Sequence, residues 1–357
     1  MTLGDRWAAL ARLGPRGALG WLGYSALAGL SLGYRLGVAG HRGLYAIGLR
    51  RPTRAPIPVI SIGNLTLGGT GKTVFAAMLA EMLLDMGETP AVLLRGYGRG
   101  AMVHGDEYVV LRARLPETVP VIEGRNRAHS ARRAAKMGAT VAILDDGHQH
   151  ERVVKNLRVL LFDATRPEDL RAVFPAGMLR EPLRGVTAAD LVCLTRADQA
   201  SGEQAVAVLT RVRDGGYDGP ILRAAHEPRA VVDARTGEEA PLDSLQRLRC
   251  LVVSGIGNNA AFLRTVRDLG ANVVAHLQYG DHHAYTQSDG ERIAGLCRAH
   301  ADSSVLTTAK DAPRLRPVLR SVDLRILDVS LRLLEGHEAL HSALVRTLRP
   351  VRPGGGR

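Results

Sequence analysis

Residues 59–73 have the sequence VISIGNLTLGGTGKT and decide the fold of this 357-residue chain. The first five residues, Val59–Gly63, are rich in β-branched side chains and predict a short buried strand. A glycine-rich loop follows, and Lys72 and Thr73 stand where an apolar-periodic helix begins. A strand, a glycine-rich loop and a helix in this order predict a phosphate loop, whose backbone N–H groups wrap phosphate oxygens at the helix N-terminus.

The loop supplies candidate nucleotide ligands. We expect Lys72 to reach the β- and γ-phosphates of a nucleotide and the Thr73 hydroxyl to bind Mg²⁺. The strict pattern has glycine where this chain has Thr66, and the double glycine at 68–69 partly compensates. The chain has four lysines against forty-three arginines, which indicates that Lys72 fills a position unsuited to arginine. The N–H groups expected to contact phosphate are those of Gly68, Gly69, Thr70, Gly71 and Lys72.

Strands and helices alternate on the carboxyl side of this loop. The pattern predicts helices at 73–86 and 125–137, and strands at 91–94, 141–144, 157–162 and 191–194. Short apolar runs separated by helices indicate parallel strands that are buried on both faces. After about residue 220 the alternation starts again, with strands predicted at 251–253, 272–275 and 305–308. The fold class is therefore α/β, with a P-loop NTPase domain built on a mostly parallel sheet and a smaller C-terminal α/β domain.

Two acids follow the predicted strand 141–144. A carboxylate at the C-terminal end of a buried parallel strand lies beside the phosphate loop, where it can hold Mg²⁺ directly or through water. We therefore predict that Asp145 and Asp146 bind the metal together with Thr73.

The amino-terminal segment is basic and apolar. Residues 1–58 carry eight arginines and one acid, a net charge of +7 out of +12 for the chain. The uncharged stretch 17–34 is short and rich in glycine compared with a spanning helix, which needs about 20 apolar residues. We expect an interfacial helix whose Trp7 and Trp21 enter the acyl boundary while its arginines meet anionic headgroups. The alternative is a helix packed on its own domain.

The predicted organisation has four parts. Residues 1–57 form the membrane-interface helical segment, 58–220 the P-loop domain, 221–348 the smaller α/β domain and 349–357 a disordered tail. The positive charge does not indicate a nucleic-acid partner, because more than half of the excess lies in the first sixth and aromatic residues make up only 4%. Three isolated cysteines provide neither a disulfide framework nor a metal knuckle, which favours a reducing compartment.

Three classes of P-loop protein compete. A partitioning-type ATPase would carry a lysine just before the double glycine, where this chain has Leu67. A GTPase would carry an N/T-K-x-D guanine-binding motif, and residues 195–198 (TRAD) have arginine in place of the lysine. A small-molecule or lipid kinase needs a general base and an acceptor pocket, and the remaining motifs offer both. A GTPase or ATPase of the metallochaperone or partitioning type stays as the alternative.

Eight motifs occur in a fixed order along the chain: NLTLGGTGKT (64–73), RGYGRG (95–100), GDE (105–107), DDGHQH (145–150), PAGMLREPL (175–183), SGIGN (254–258), GDHHAYT (280–286) and TTAKDAPRL (307–315). Together they resemble the tetraacyldisaccharide 4′-kinase family of Gram-negative lipid A biosynthesis, over about residues 56–316. The resemblance implies phosphorylation of the 4′-hydroxyl of lipid A disaccharide 1-phosphate, with ATP and Mg²⁺, to form lipid IVA. It also implies an N-terminal helix at the cytoplasmic face of the inner membrane.

The resemblance also implies roles for single residues. Asp106 matches the family's candidate base and His282 the imidazole that partners it. From the residues alone, Asp106 fits the N-cap of a helix equally well, and a solvated loop histidine is the plainer interpretation of His282.

Three further residues match ligand positions of the family. Arg125 resembles the arginine that contacts the γ-phosphate, and Arg180 and Glu181 resemble residues that support the phosphates and the metal. An exposed helix face is the alternative for Arg125, and a surface ion pair is the alternative for the other two. No role follows from the sequence for Arg95, Tyr97 or Lys310.

Overall fold

The structure is a computed structural model that describes residues 3–96, 104–300 and 303–349. Tyr97, and all of the predicted disordered tail except Arg349, lie outside these residues.

One continuous sheet of twelve strands runs through the described residues. Its order is β10-β9-β11-β12-β7-β6-β5-β1-β4-β2-β3, and β8 pairs with β7 beside this path. The strands are β1 Val59–Gly63, β2 Pro90–Leu94, β3 Val121–Glu123, β4 Val141–Leu144, β5 Leu157–Asp163, β6 Leu191–Thr195, β7 Ile221–Asp233, β8 Glu239–Ala240, β9 Arg249–Ser254, β10 Asn272–Gln278, β11 Ser304–Thr308 and β12 Leu324–Glu335.

Ten α-helices accompany the sheet in the described part of the chain. They are α1 Leu3–Leu13, α2 Gly17–Ala46, α3 Lys72–Asp85, α4 Asp106–Arg114, α5 Arg127–Lys136, α6 Gly202–Asp214, α7 Asn259–Asp268, α8 Gln287–Ala299, α9 Ala312–Leu315 and α10 His337–Leu348. The predicted α/β class with a mostly parallel sheet is confirmed, since the strand pairings are parallel except at β7–β12 and β7–β8.

Strand β1 lies in the middle of the amino-terminal half of the sheet. It pairs in parallel with β4 on one side and with β5 on the other, and all five of its residues are buried. Helix α3 follows it through the glycine-rich loop and packs Phe75, Leu79 and Leu83 into the core on one face of the sheet. Because β4 and β5 end beside β1, the residues that follow these strands surround the loop.

The long strands β7 and β12 were not predicted. They pair antiparallel over most of their length and join the strands before residue 220 to those after it. Pro228 and the charged residues on both sides of it interrupt the apolar pattern of β7. The register shifts in the ladder beside Pro228, and such an irregularity is where a strand tolerates proline.

The sheet is continuous across the predicted domain boundary at residues 220 and 221, where β7 begins. Helix α10 returns from the C-terminal half and packs Leu340 and Leu344 into the same core as α3. The division at this boundary stays a prediction. Below, residues 58–220 are called the P-loop half and residues 221–348 the C-terminal half.

The two amino-terminal helices lie against the P-loop half. The Trp7 indole donates a hydrogen bond to the carbonyl of Pro175 (2.7 Å), and Arg12 pairs with Asp169 (2.7 Å). On α2, the buried Ser31 hydroxyl donates to the carbonyl of Val173 (2.8 Å). Within the described residues, no helix combines the length and the hydropathy that crossing a membrane requires.

Candidate active site

The phosphate loop ends in a left-handed residue at the start of α3. Gly71 has φ 86° and Gly68 has φ 109°, backbone conformations that glycine adopts without a side-chain clash. Lys72 is the first residue of α3, and its ammonium group lies 3.1 Å from Oδ1 of Asn64 and 3.4 Å from a carboxylate oxygen of Asp146. Its charge is therefore held at the helix N-terminus, where a bound anion is favoured.

The adjacent Thr73 contacts the first acid after β4. Its hydroxyl donates to Oδ2 of Asp145 at 2.9 Å, while Oδ1 of Asp145 is buried and has no hydrogen-bond partner in the described residues. Burial is the main cause that raises the pKa of Asp145 to about 6. A hydroxyl and a buried carboxylate oxygen without a partner are oxygen donors of the kind that Mg²⁺ prefers, so these residues fit the implied metal.

The second acid carries a different set of contacts. Asp146 adopts φ 52° and accepts two hydrogen bonds from Nη1 of Arg180, at 3.0 and 3.1 Å. Burial raises the pKa of Asp146, but the charges of Lys72 and Arg180 outweigh burial and hold it at about 2. Asp146 is therefore an ionised carboxylate between Lys72 and Arg180, two cations that can also bind phosphate.

Glu181, a predicted metal ligand, makes its contacts elsewhere. Its buried carboxylate pairs with Arg42 of α2 and accepts a hydrogen bond from Gln149 (3.0 Å). Burial raises its pKa, although Arg42 opposes the effect. In the described part of the chain its hydrogen bonds and ion pairs do not reach Thr73, Asp145 or Asp146, and no group of three or more His, Cys, Asp and Glu side chains is arranged to hold a metal. The role of Glu181 stays a prediction.

Arg125 precedes the basic helix instead of opening it. The side chain of Asn126 caps α5 by accepting from the backbone N–H of His129 (3.1 Å), so the helix begins at Arg127. Arg125 is exposed, whereas the buried Arg127 donates to the carbonyls of Gly124 (2.8 Å) and Asp145 (3.3 Å). The start of α5 at Arg127 could have been predicted from the sequence, because asparagine at position 126 is a preferred N-cap residue.

Asp106 and His282 lie in contact across the two halves. Asp106 is the buried first residue of α4, and its Oδ2 lies 3.2 Å from Nδ1 of His282. His282 adopts φ 60°, a conformation that costs a non-glycine residue about 1–3 kcal/mol and is frequent at functional sites. The neighbouring His283 faces another partner, Asp289, at 3.1 Å. The structure thus brings together the two residues that the sequence placed far apart.

Two cations of the C-terminal half surround this pair. Lys310 lies 2.8 Å from Asp281 and 3.1 Å from Nε2 of His282, and Nε of Arg314 lies 3.4 Å from Asp106. Lys310 therefore contacts the imidazole on the edge opposite Asp106. The sequence had left Lys310 without a role, and these contacts put it beside the candidate catalytic pair.

The C-terminal half also contacts the phosphate loop, which the sequence did not predict. A Cβ atom at Gly257 would lie 2.1 Å from the backbone nitrogen of Gly69, so the two backbones pack with no room for a side chain. Asn258 donates to Oδ2 of Asp163 at 3.0 Å. The same oxygen accepts from Arg196 (2.6 Å), which also donates to the carbonyl of Gly69 (3.2 Å). Arg196 belongs to the TRAD motif (195–198), which was compared above with a guanine-binding motif. In the structure it holds the phosphate loop in position through the carbonyl of Gly69.

Gly257→Ala tests this contact. We expect kcat/KM for ATP to fall about tenfold, because forcing a methyl group into a packed contact costs about 1–3 kcal/mol. Gly295→Ala is the matched control, since the nearest atom to a Cβ there is 3.9 Å away. Steady-state kinetics with ATP varied would measure the effect, and equal values for the two variants would contradict the proposed support of the loop.

Comparisons with known proteins show the family of the chain. The family model described as tetraacyldisaccharide-1-P 4′-kinase matches residues 24–349. The chain belongs to this family. The tetraacyldisaccharide 4′-kinase of Anaeromyxobacter dehalogenans (strain 2CP-C) is 36% identical over 348 residues, which cover 92% of each chain. That of Syntrophus aciditrophicus (strain SB) is 37% identical over 311 residues, covering 81% of this chain and 83% of the relative.

A solved structure shows the same fold. The crystal structure of LpxK from Aquifex aeolicus in complex with ATP superposes with a TM-score of 0.69 at 28% identity. The match covers 91% of this chain and 99% of that one. The predicted family, fold class and kinase function are confirmed, and the GTPase or ATPase alternative has no comparable support.

Proposed function

We propose that this kinase transfers the γ-phosphoryl group of ATP to the 4′-hydroxyl of tetraacyldisaccharide 1-phosphate at the cytoplasmic face of the inner membrane. The contact between Asp106 and His282 carries the proposal for the chemistry. It joins a buried carboxylate of the P-loop half to an imidazole of the C-terminal half, so an acceptor hydroxyl bound between the halves meets a proton acceptor.

The nucleotide is held by the phosphate loop. Backbone N–H groups of Gly68, Gly69, Thr70 and Gly71 bind phosphate oxygens, and Lys72 neutralises charge on the β- and γ-phosphates. We assign the same task to Arg180, and its ion pair with Asp146 supports the assignment. Arg125 is exposed and retains its proposed γ-phosphate role only through the family resemblance.

The metal site consists of Thr73 and the two acids after β4. Thr73 and Asp145 would hold Mg²⁺, together with Asp146, the next residue in the chain. Glu181 is proposed as a ligand only through the family resemblance, because its contacts are with Arg42 and Gln149. When bound, Mg²⁺ supplies charge neutralisation at the β- and γ-phosphate oxygens. Asp145 and Thr73 are already in hydrogen-bond contact, so the donor atoms need little rearrangement.

The reaction requires one proton acceptor. The 4′-oxygen forms a bond to the γ-phosphorus as the bond from phosphorus to the β-phosphate oxygen breaks, and ADP leaves with that electron pair. The hydroxyl proton passes to the pair formed by Asp106 and His282, in which Asp106 orients the imidazole. Lys310 and Arg314 limit the build-up of negative charge around the pair.

Incubation with [γ-³²P]ATP and lipid A disaccharide 1-phosphate, followed by thin-layer chromatography, tests the function. Label that appears in the lipid and depends on Mg²⁺ is the expected result. Nucleotide hydrolysis without labelled lipid, together with a preference for GTP, would overturn the proposal in favour of the GTPase alternative.

The surface of α2 supports association with an anionic membrane. One side of the helix is tied to the protein through Ser31 and Arg42. The remaining surface exposes large apolar side chains, namely Trp21, Leu22, Leu30, Leu32 and Leu36. A helix that exposes large apolar side chains and carries arginines can bind at a bilayer interface, with the apolar side chains in the acyl boundary and the arginines at anionic headgroups.

Leu22→Glu is expected to weaken binding to vesicles that contain phosphatidylglycerol, because Leu22 is 69% exposed on α2 and would carry a charge into the acyl boundary. Val206→Glu is the matched control, since Val206 is 63% exposed on α6. Co-sedimentation measures both variants. Raising the salt concentration should also weaken binding of the intact chain, because salt screens the attraction between the arginines and the anionic headgroups. Equal binding by the two variants would place the membrane contact elsewhere.

A further inference from the structure

A cavity of about 290 Å³ lies between α2, the 3₁₀ turn Leu183–Ala188 and α6. Three arginines from these three elements line it, Arg35, Arg184 and Arg211. Among the described residues that line it, Asp214 is the only acid. The catalytic interpretation uses none of these four residues.

The arginines of the cavity lack the partners that neighbouring arginines have. Arg42 of α2 pairs with Glu181, and Arg180 pairs with Asp146. In the described residues, Arg35 and Arg184 make no ion pair, and the side chain of Arg211 makes one hydrogen bond, to the carbonyl of Leu170 at 3.4 Å. Three guanidinium groups against one carboxylate in the same lining give a net positive charge, which attracts an anion.

The residues that line the cavity lie close in sequence to the exposed apolar side chains of α2 on one side and to Arg180 on the other. Arg35 lies on α2 between the exposed Leu32 and Leu36. On the other side, Arg184 follows Arg180 by four residues, so the two Cα atoms are at most about 14 Å apart. The hydroxyl of Tyr34, the residue before Arg35, donates to the carbonyl of Arg180 at 2.9 Å.

We propose that this cavity binds a phosphate group carried by a lipid. Guanidinium groups bind phosphate oxygens in pairs of charge-assisted hydrogen bonds, which explains three arginines in one concave site. The 1-phosphate of the acceptor disaccharide is one source of this chemistry, since Arg184 follows the candidate site residue Arg180 by four residues. The headgroup phosphate of a bilayer lipid is the other source of the same chemistry. The proposal rests on the proposed function for the first source only.

The test compares two double variants that lose the same charge. In Arg184→Gln with Arg211→Gln, the cavity keeps polar side chains but loses two charges. In Arg132→Gln with Arg133→Gln, the same charge is lost from exposed positions on α5. Circular dichroism verifies that both variants are folded. Neither pair belongs to the catalytic machinery described above.

The first arm measures KM for the acceptor in neutral detergent, with and without its 1-phosphate. If the acceptor supplies the phosphate, the cavity variant raises KM for the phosphorylated acceptor about 10- to 100-fold, the effect of losing charged hydrogen bonds. KM for ATP and for the acceptor that lacks the phosphate should stay unchanged, as should all constants of the control variant.

The second arm measures co-sedimentation with phosphatidylcholine vesicles, with and without phosphatidic acid. If the bilayer supplies the phosphate, the cavity variant loses the additional binding that phosphatidic acid provides, while the control keeps it and the acceptor KM does not change. Unchanged KM and unchanged vesicle binding, or equal losses in both variants, would overturn the proposal. The vesicle arm can be measured even if the wild-type chain fails to phosphorylate the acceptor, so failure of the proposed function is recognised separately.

Discussion

Lys72→Ala is expected to lower kcat/KM for lipid phosphorylation by at least about 10²–10³-fold, the effect of removing one preorganised electrostatic contact to the transition state. The ammonium group lies between Asn64 and Asp146 at the start of α3, so it is already positioned for the β- and γ-phosphates. Initial rates with ATP and the acceptor varied in turn would separate the loss in kcat from a change in KM.

A second lysine provides the control for this variant. Lys136 is exposed at the end of α5, and Lys136→Ala removes the same charge away from the loop, so its rates should match those of the wild type. Lys72→Arg should also be impaired, because a planar guanidinium does not replace a compact ammonium at a phosphate loop. Near wild-type turnover by Lys72→Ala would contradict the assignment of the phosphate loop.

The sequence was most informative where local chemistry determines the structure. The run VISIG became β1 with the predicted bounds, and the predicted strand 141–144 matches β4. Both are short, apolar and buried on two faces, so burial and β-propensity favour the same structure. In β7, burial and β-propensity do not favour the same structure, because Pro228 and its charged neighbours interrupt the apolar pattern. The strand forms by pairing with β12, which is distant in the sequence.

The site was predictable where the topology of a known motif brings residues together. Thr73 and Asp145 meet because a phosphate loop and the end of the adjacent strand always lie side by side in this topology. The contact of Gly257 with Gly69, and the bond between Asn258 and Asp163, depend on how the C-terminal half folds back. Polar residues at strand ends indicate that a site is present. Which residues of the C-terminal half contact them can be known only from the three-dimensional structure.

Asp106→Ala and His282→Ala are each expected to lower kcat about 10²–10⁴-fold, with KM for ATP little changed, because each removes part of one proton-accepting unit. Their contact spans 3.2 Å and joins the two halves. His283→Ala is the neighbouring control, since His283 faces Asp289 and should leave kcat near that of the wild type. Rates with ATP and lipid varied separately, and circular dichroism for folding, would measure these effects.

The double variant decides whether the two residues act as one unit. If Asp106 orients the imidazole that takes the proton, removing the second partner adds little to the loss from the first, so the double variant should be scarcely slower than the poorer single one. Losses that multiply would instead mean separate roles, such as Asp106 at the metal and His282 at the sugar of the acceptor. Lys310, which contacts the edge of the imidazole opposite Asp106, is unchanged in all three variants, so any difference between them comes from Asp106 and His282. A fully active His282→Ala protein would refute the pair and direct attention to His283.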